Sequence, residues 1–406
     1  MIATASLTRL IRALRATCCT VGLIAVVGGA AAAEMTITAE FRPSALDPGR
    51  KTFTNTTPRG QYCNWRPDFC EALNAYVVDL PVNIASKIYV KGPNARKRFF
   101  VGLPGSRRVV ATNESGNSID VDVAIGSVSG QVSPGNSTNP VFTRTVLGGG
   151  CTYVHSAGAA HWVRFGWNVR APESPLLCYS QGDGGAVGFT GVYKTDVLGL
   201  GFIVTTPSPL GIDNGLYRGQ LRYSMGGLGS DFDFGDDVEM TDDVMVINFE
   251  FLVAHDFKVE RAPGTDTIVL QPDNGWRDWV EQGRPPSAIR QELPFLMTSS
   301  GDFTVHLACE QQVGDRCAIR SESGEDAELD VSMTVPGLYE AVTDAPVDRY
   351  PLKVGGLPPG FRVREYMQNR PSRLGFSISG APLRRMLELP GSTWRGEVTV
   401  IFDAAP

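Results

Sequence analysis

The sequence predicts an all-β protein of two immunoglobulin-like β-sandwich domains, and three observations predict it. Glycine (45) and proline (27) recur along the chain as punctuation. Between them, short runs alternate apolar and polar residues with a period of two, the mark of strands with one buried face. Six of the eight cysteines, all but Cys18 and Cys19 near the start of the chain, fall as three local pairs, Cys63/Cys70, Cys151/Cys178 and Cys309/Cys317, as in exported chains stapled by disulfides.

The first segment reads as a signal peptide, residues 1–33. Arg9, Arg12 and Arg15 form a basic n-region, Val21 to Val27 a short apolar run, and Ala31-Ala32-Ala33 a small-residue cleavage site before Glu34. The run falls short of the roughly 20 residues that a bilayer requires. Removing the signal leaves 373 of 406 residues and takes the formal charge from −6 to −9. That length suits two or three domains of about 100–200 residues each. The acidic balance argues against nucleic acid as a partner.

The alternating runs are Met35–Phe41, Ile119–Ile125, Val246–Val253, Phe303–Leu307 and Glu397–Phe402. The strand from Val246 is expected to continue to Val259, where Glu260-Arg261-Ala262-Pro263-Gly264 breaks it, and a new strand, Thr267–Gln271, follows. An N-terminal domain of 34–260 and a C-terminal one of 265–406 result, the second near the size of one immunoglobulin-like sandwich. Pro382–Leu389 fits a short helix or an apolar strand. Proximity favours the disulfides Cys63–Cys70, Cys151–Cys178 and Cys309–Cys317, and neither a CxxC nor a histidine cluster accompanies them to suggest a metal. Tyr217-Arg218-Gly219-Gln220-Leu221 is echoed by Trp394-Arg395-Gly396-Glu397-Val398.

The end of the chain, Gly391 to Phe402, places Trp394 two residues before Gly396 and then runs into an alternating strand. This resembles the last strand of pilins assembled by the chaperone–usher route. The wider layout resembles the two-domain tip adhesins of colonisation-factor-type (class 5, CblD-like) fimbriae. The shared features are a larger N-terminal domain with two local cysteine pairs, a strand like Leu216–Tyr223 ahead of a long alternating strand, and a second domain opening on a segment like Thr267–Pro272. Two departures stand out. The family's pilin-domain cysteines lie far apart, whereas Cys309 and Cys317 can staple only one hairpin. Met35–Pro43 resembles the donor strand of shaft subunits, for which a tip subunit has no acceptor; the other reading makes it the first strand of the N-terminal sandwich.

The resemblance implies an incomplete pilin fold at the C-terminus, one strand short. Its groove would be filled first by a periplasmic pilus chaperone and then, at the outer-membrane usher, by a strand from a neighbouring pilin subunit. Trp394, Val398, Val400 and Phe402 share one face by period two and are the expected groove lip and chaperone contact. Glu397, Thr399, Ile401 and Asp403 face the other way. The carboxylate of Pro406 would sit near cationic chaperone residues.

Receptor contact in the related adhesins involves arginines. Arg59, four residues before Cys63, is the nearest counterpart of one, and Arg222 is the base nearest Gly226-Gly227, where the family carries a pair. Lys87, Lys91, Arg96, Lys97, Arg98, Arg107 and Arg108 fall in one stretch without an acid; such a patch either attracts sialylated or sulfated glycans or consists of solvated strand residues. Trp65, beside Tyr62 in the first cysteine loop, and Trp162 and Trp167 in the second are glycan platforms or core. Residues 231–243 carry seven acids, which read as a calcium site or a solvated hairpin tip.

The expected function is a fimbrial tip adhesin, exported through the periplasm to a fimbrium at the cell surface, that binds a surface receptor, a glycan by class. Two alternatives are a non-adhesive minor pilin (initiator or adaptor) and a secreted β-sandwich carbohydrate-active enzyme. An enzyme is not expected, because GxSxG, HExxH, P-loop and redox CxxC patterns are all missing. No cofactor or metal is expected either: His155, His161, His255 and His306 are scattered.

Overall fold

Alternation in the sequence becomes alternation of burial in β1, Ala33–Phe41. Met35, Ile37, Ala39 and Phe41 are buried while Glu34 and Thr36 are exposed. The computed structural model describes residues 32–406 except 74–75, 90–93, 135–145, 148, 160–161, 181–189, 262, 264–266 and 405–406. Residues 1–31 of the segment 1–33 expected as a signal peptide, together with Lys91, His161 and Pro406, thus lie outside the described residues. Ala32–Pro406 clusters as one compact unit and holds two large hydrophobic cores.

The first core is enclosed by a 12-stranded sheet. Its main strands after β1 are β2 (Tyr76–Tyr89), β3 (Arg107–Thr112), β4 (Ser118–Pro134), β5 (Trp162–Val169), β6 (Thr190–Thr205), β7 (Gly215–Gly226) and β8 (Val244–Val253). Along the sheet, Val238–Met240 is followed by β2, β6, β4, β3, β7, β8 and β1, and then by Thr54–Asn55; β5 pairs with β4. β1 runs parallel to β8, from Ala33 opposite Met245 to Phe41 opposite Val253, and its other edge holds Thr54–Asn55. Tyr217, buried in β7, donates its hydroxyl to the Asp213 carbonyl at 3.0 Å, a tyrosine corner that pins the turn before the strand.

The second core lies between an 8-stranded and a 4-stranded sheet, two layers facing each other as in sandwiches. The larger sheet contains β9 (Phe257–Arg261), β10 (Ala288–Ser299), β12 (Arg316–Ser321), β13 (Asp326–Thr334) and β14 (Met367–Ser379). Its order is β9, β10, β14, β13, β12 and then Gln311–Val313. The smaller sheet runs Leu338–Glu340, Gly360–Val363, β11 (Phe303–Cys309) and β15 (Val398–Ala404). The all-β class expected from the sequence is what forms.

Several local expectations are corrected. The strand from Val246 does not reach Val259: β8 stops at Val253, Ala254–Asp256 is irregular, and β9 joins the other sheet. At the break the His255 backbone N–H donates to the Asn214 side chain, not to a neighbouring strand, while its ring bonds to Ser300 Oγ (3.1 Å) and the Ile212 carbonyl (2.9 Å). Thr267–Gln271 is not a strand, although Ile268 and Leu270 pack on the second core; only Gln271 bridges, to Arg290. Gly380–Leu387 is a helix, which settles the open choice at Pro382–Leu389. The first cysteine pair sits on two short helices, α1 (Gln61–Trp65) and α2 (Pro67–Leu73).

All three local disulfides form. The third does more than staple a hairpin. Cys309 ends β11 in the smaller sheet and Cys317 lies in β12 of the larger one, so the bond ties the two layers together.

Candidate functional site

The C-terminal strand is built by a change of sheets. Trp394-Arg395 pairs with β12 of the larger sheet, through Ser321 opposite Trp394. At Gly396 the chain presses on that strand, where a Cβ would stand 2.9 Å from the Ala318 carbonyl oxygen. Beyond it, β15 pairs with β11 of the smaller sheet, from Val398 opposite Cys309 to Ala404 opposite Phe303. The aromatic, the glycine and the alternating strand of the sequence motif are thus three parts of one crossover. Trp394 does not continue the face of Val398, as period two suggested; it lies in a different sheet, because the crossover interrupts the period.

Within β15 the alternation holds. Val398, Val400 and Phe402 are half-buried against the second core, while Thr399, Ile401 and Asp403 are exposed. Phe402 meets Phe295 of β10 at 5.7 Å and Phe303 of β11 at 6.3 Å between ring centroids. Phe303 in turn meets Phe257 of β9 at 5.1 Å. β9 and β15 are the terminal strands of their two sheets. Among the described residues, each is paired on one side only. The two edges therefore flank one apolar seam.

A cavity lies at the end of this seam, lined by Asp213, Asn214, His255, Phe257, Asp302 and Ala404. His255 braces it. Besides its ring bonds, its backbone N–H donates to Asn214 Oδ1 at 2.6 Å, and its ring meets Phe41 of β1 at 5.5 Å. Tyr366 adds a second brace: its hydroxyl donates to Asp256 at 2.9 Å and its backbone N–H to the Pro48 carbonyl at 2.8 Å.

The basic and acidic runs face each other. Arg96 clamps Asp233 with both terminal nitrogens (2.5 and 2.9 Å) and gives Nε to Asp236 at 2.7 Å. The bond to Asp233 is the main reason its guanidinium binds its proton more tightly than usual. Lys97 approaches Asp237 at 3.4 Å, Arg107 pairs with Asp231, and Arg108 pairs with Asp120 and Asp122. Arg98 lies over the Tyr179 ring at 5.7 Å. The acidic run is neither a free hairpin tip nor, among the described residues, a cluster able to hold a metal. Sequence could not show this match, because more than 120 positions separate the partners.

Arg59 is exposed and reaches Glu71 at 3.6 Å. Arg222 is exposed on β7, and its carbonyl accepts from Arg107 at 3.0 Å. The six receptor candidates thus fall into two groups: Arg96, Lys97, Arg98 and Arg222 around the acidic loop, and Arg59 and Trp65 around α1 and α2.

The second group is held by β5. Phe165 and Trp167 are buried in the first core, and Phe99 packs on both. The opposite face carries Trp162, Arg164 and Gly166. Tyr62 of α1 lies directly on Gly166, where any Cβ would strike its ring. Burial pushes the Tyr62 phenol up to about 12. Two residues along, Arg164 stacks on Trp65 (4.1 Å) and on Trp162 (4.7 Å). Asp79 of β2 accepts the Gln61 N–H at the start of α1, and burial raises its carboxyl above the usual range despite that bond. Arg164 was missed at the sequence level; its one signal was its position between Trp162 and Trp167.

No protein-family profile matches the sequence, and no curated protein does. Among solved structures, the chain is similar to a complex of a chaperone with the tip adhesion subunit of archaic chaperone–usher Csu pili of Acinetobacter baumannii. That likeness has 10% sequence identity and a TM-score of 0.20, and covers 92% of this chain and 98% of that one. A superposition this loose carries no argument, so the reading of this chain rests on its own geometry.

Proposed function

We propose that this chain is the tip subunit of a chaperone–usher fibre, exported through the periplasm to the cell surface. In this reading, a receptor-binding domain precedes Ala254–Asp256 and a strand-accepting pilin domain follows it. The observation that carries the reading is the pairing of the two end strands. Among the described residues β15 is paired on one side only, beside a half-open apolar seam, whereas β1 is paired along its whole length with β8 and, at Ala39 and Glu40, with Thr54–Asn55 as well. A subunit that takes a strand and keeps its own first strand in its own sheet terminates a fibre. An adaptor must take one strand and give another, which favours the tip position. Completing the C-terminal sandwich would pair backbone groups and cover Val398, Val400 and Phe402 together.

The test is periplasmic expression with a dedicated two-domain chaperone. The expected result is a stable complex, from which a donor-strand peptide of a neighbouring subunit displaces the chaperone. Val400→Asp is expected to abolish capture, and Ile401→Asp, on the outward face, to spare it. A monomer that folds and stays soluble with neither chaperone nor peptide would remove the reading.

A further inference from the structure

The geometry points to the Trp65–Arg164–Trp162 stack as the ligand-binding surface of this protein, specific for acidic saccharides whose carboxylate pairs with Arg164 while the pyranose ring lies against an indole. This rests on the adhesive reading and gives it a place and a ligand class.

Three observations carry it. First, Arg164 is preorganised. Its Nε donates to Gln131 Oε1 at 3.0 Å, across the β4–β5 pair, and its guanidinium is held against two indoles. Such stacking fixes the planar fork without using its terminal donors. Second, the charge is uncompensated. Arg96, Lys97, Arg107 and Arg108 all have carboxylate partners, but among the described residues no acid lies within ion-pair distance of Arg164, and its terminal nitrogens make no hydrogen bond. A guanidinium fork matches a carboxylate two bonds to two. Third, both indoles are half-buried, and their N–H groups have no partner among the described residues. Rings with an apolar face and a spare donor suit a sugar.

Position agrees. β4 begins beside Asn117, which bonds to Asp213 at the cavity near the end of β15. Gln131 lies 13 residues further along β4, or about 40 Å at strand rise, so the stack stands well away from the open seam.

The test uses the full mature chain, held in its chaperone complex, on immobilised sialylated, uronate-bearing, sulfated and neutral oligosaccharides. Binding to the carboxylate-bearing probes is expected, weakening as salt rises. Arg164→Gln and Arg164→Lys should each weaken it at least about tenfold, the second despite retaining the charge. Trp65→Ala should weaken it similarly, and Arg108→Gln should not. Unchanged unfolding temperatures for Arg164→Lys would separate lost recognition from lost folding. Binding confined to neutral or sulfated probes, or carboxylate binding indifferent to both Arg164 variants, overturns the site. Adhesion to cells that survives those variants overturns the site and leaves the adhesive reading standing; failure to bind any glycan or cell overturns both.

Discussion

Arg96 and Asp79 show how charge placement at single residues divides structure from recognition. Arg96 neutralises Asp233, a buried carboxylate, so Arg96→Ala should destabilise the chain by about 2–3 kcal/mol, by leaving that charge unpaired. Chemical denaturation measures this, and a neutral result would return Arg96 to the list of free surface cations. Asp79 binds its proton more tightly in the folded chain than an exposed aspartate does. Stability from this residue is therefore greatest at low pH and is lost as pH rises through the raised value. Asp79→Asn keeps an acceptor for the Gln61 N–H and should flatten that dependence. Asp79→Leu orphans the N–H and should cost about 1 kcal/mol. Thermal melts of the three proteins across the acid range distinguish these outcomes.

Elements fit where a close approach permits it. α1 reaches β5 only because Gly166 has no side chain under the Tyr62 ring. Gly166→Val should cost at least about 2 kcal/mol and loosen the Trp65–Arg164 contact, read as a lower melting temperature and a red-shifted, quenchable tryptophan emission. β15 gives the matching case on the other core. Phe402 touches rings from both layers, so Phe402→Ala should cost about 2 kcal/mol in the strand-completed protein. Ile401→Ala, on the exposed face, should change little. Equal losses from the two variants would show that β15 faces the core differently.

Across the whole molecule, disulfides and end strands set the stability. Cys63–Cys70 anchors α1 to α2, and Cys151–Cys178 links the strand Cys151–Ala159 to the short strand Cys178–Ser180. Each is expected to contribute about 2–5 kcal/mol. Reduction should lower the melting temperature of the first core before that of the second, where Cys309–Cys317 is backed by sheet packing. Removal of residues 33–41 should expose the β8 edge and the apolar groups opposite Met35, Ile37 and Phe41, giving aggregation in light scattering.

The sequence by itself determined what depends on neighbours along the chain: the β class, the inward residues of β1, β8 and β15, and the three disulfides between nearby cysteines. Period-two alternation and short loops are local properties, so they are legible without a partner. Only the tertiary structure decided that Met35–Phe41 belongs to its own sheet, that the basic and acidic runs neutralise each other, that Trp394 and Val398 lie in different sheets, and that Arg164 stands between two indoles. Each of these joins residues remote in sequence or crosses between layers, and such pairings are fixed by register and packing, which leave no periodic trace in the order of the amino acids.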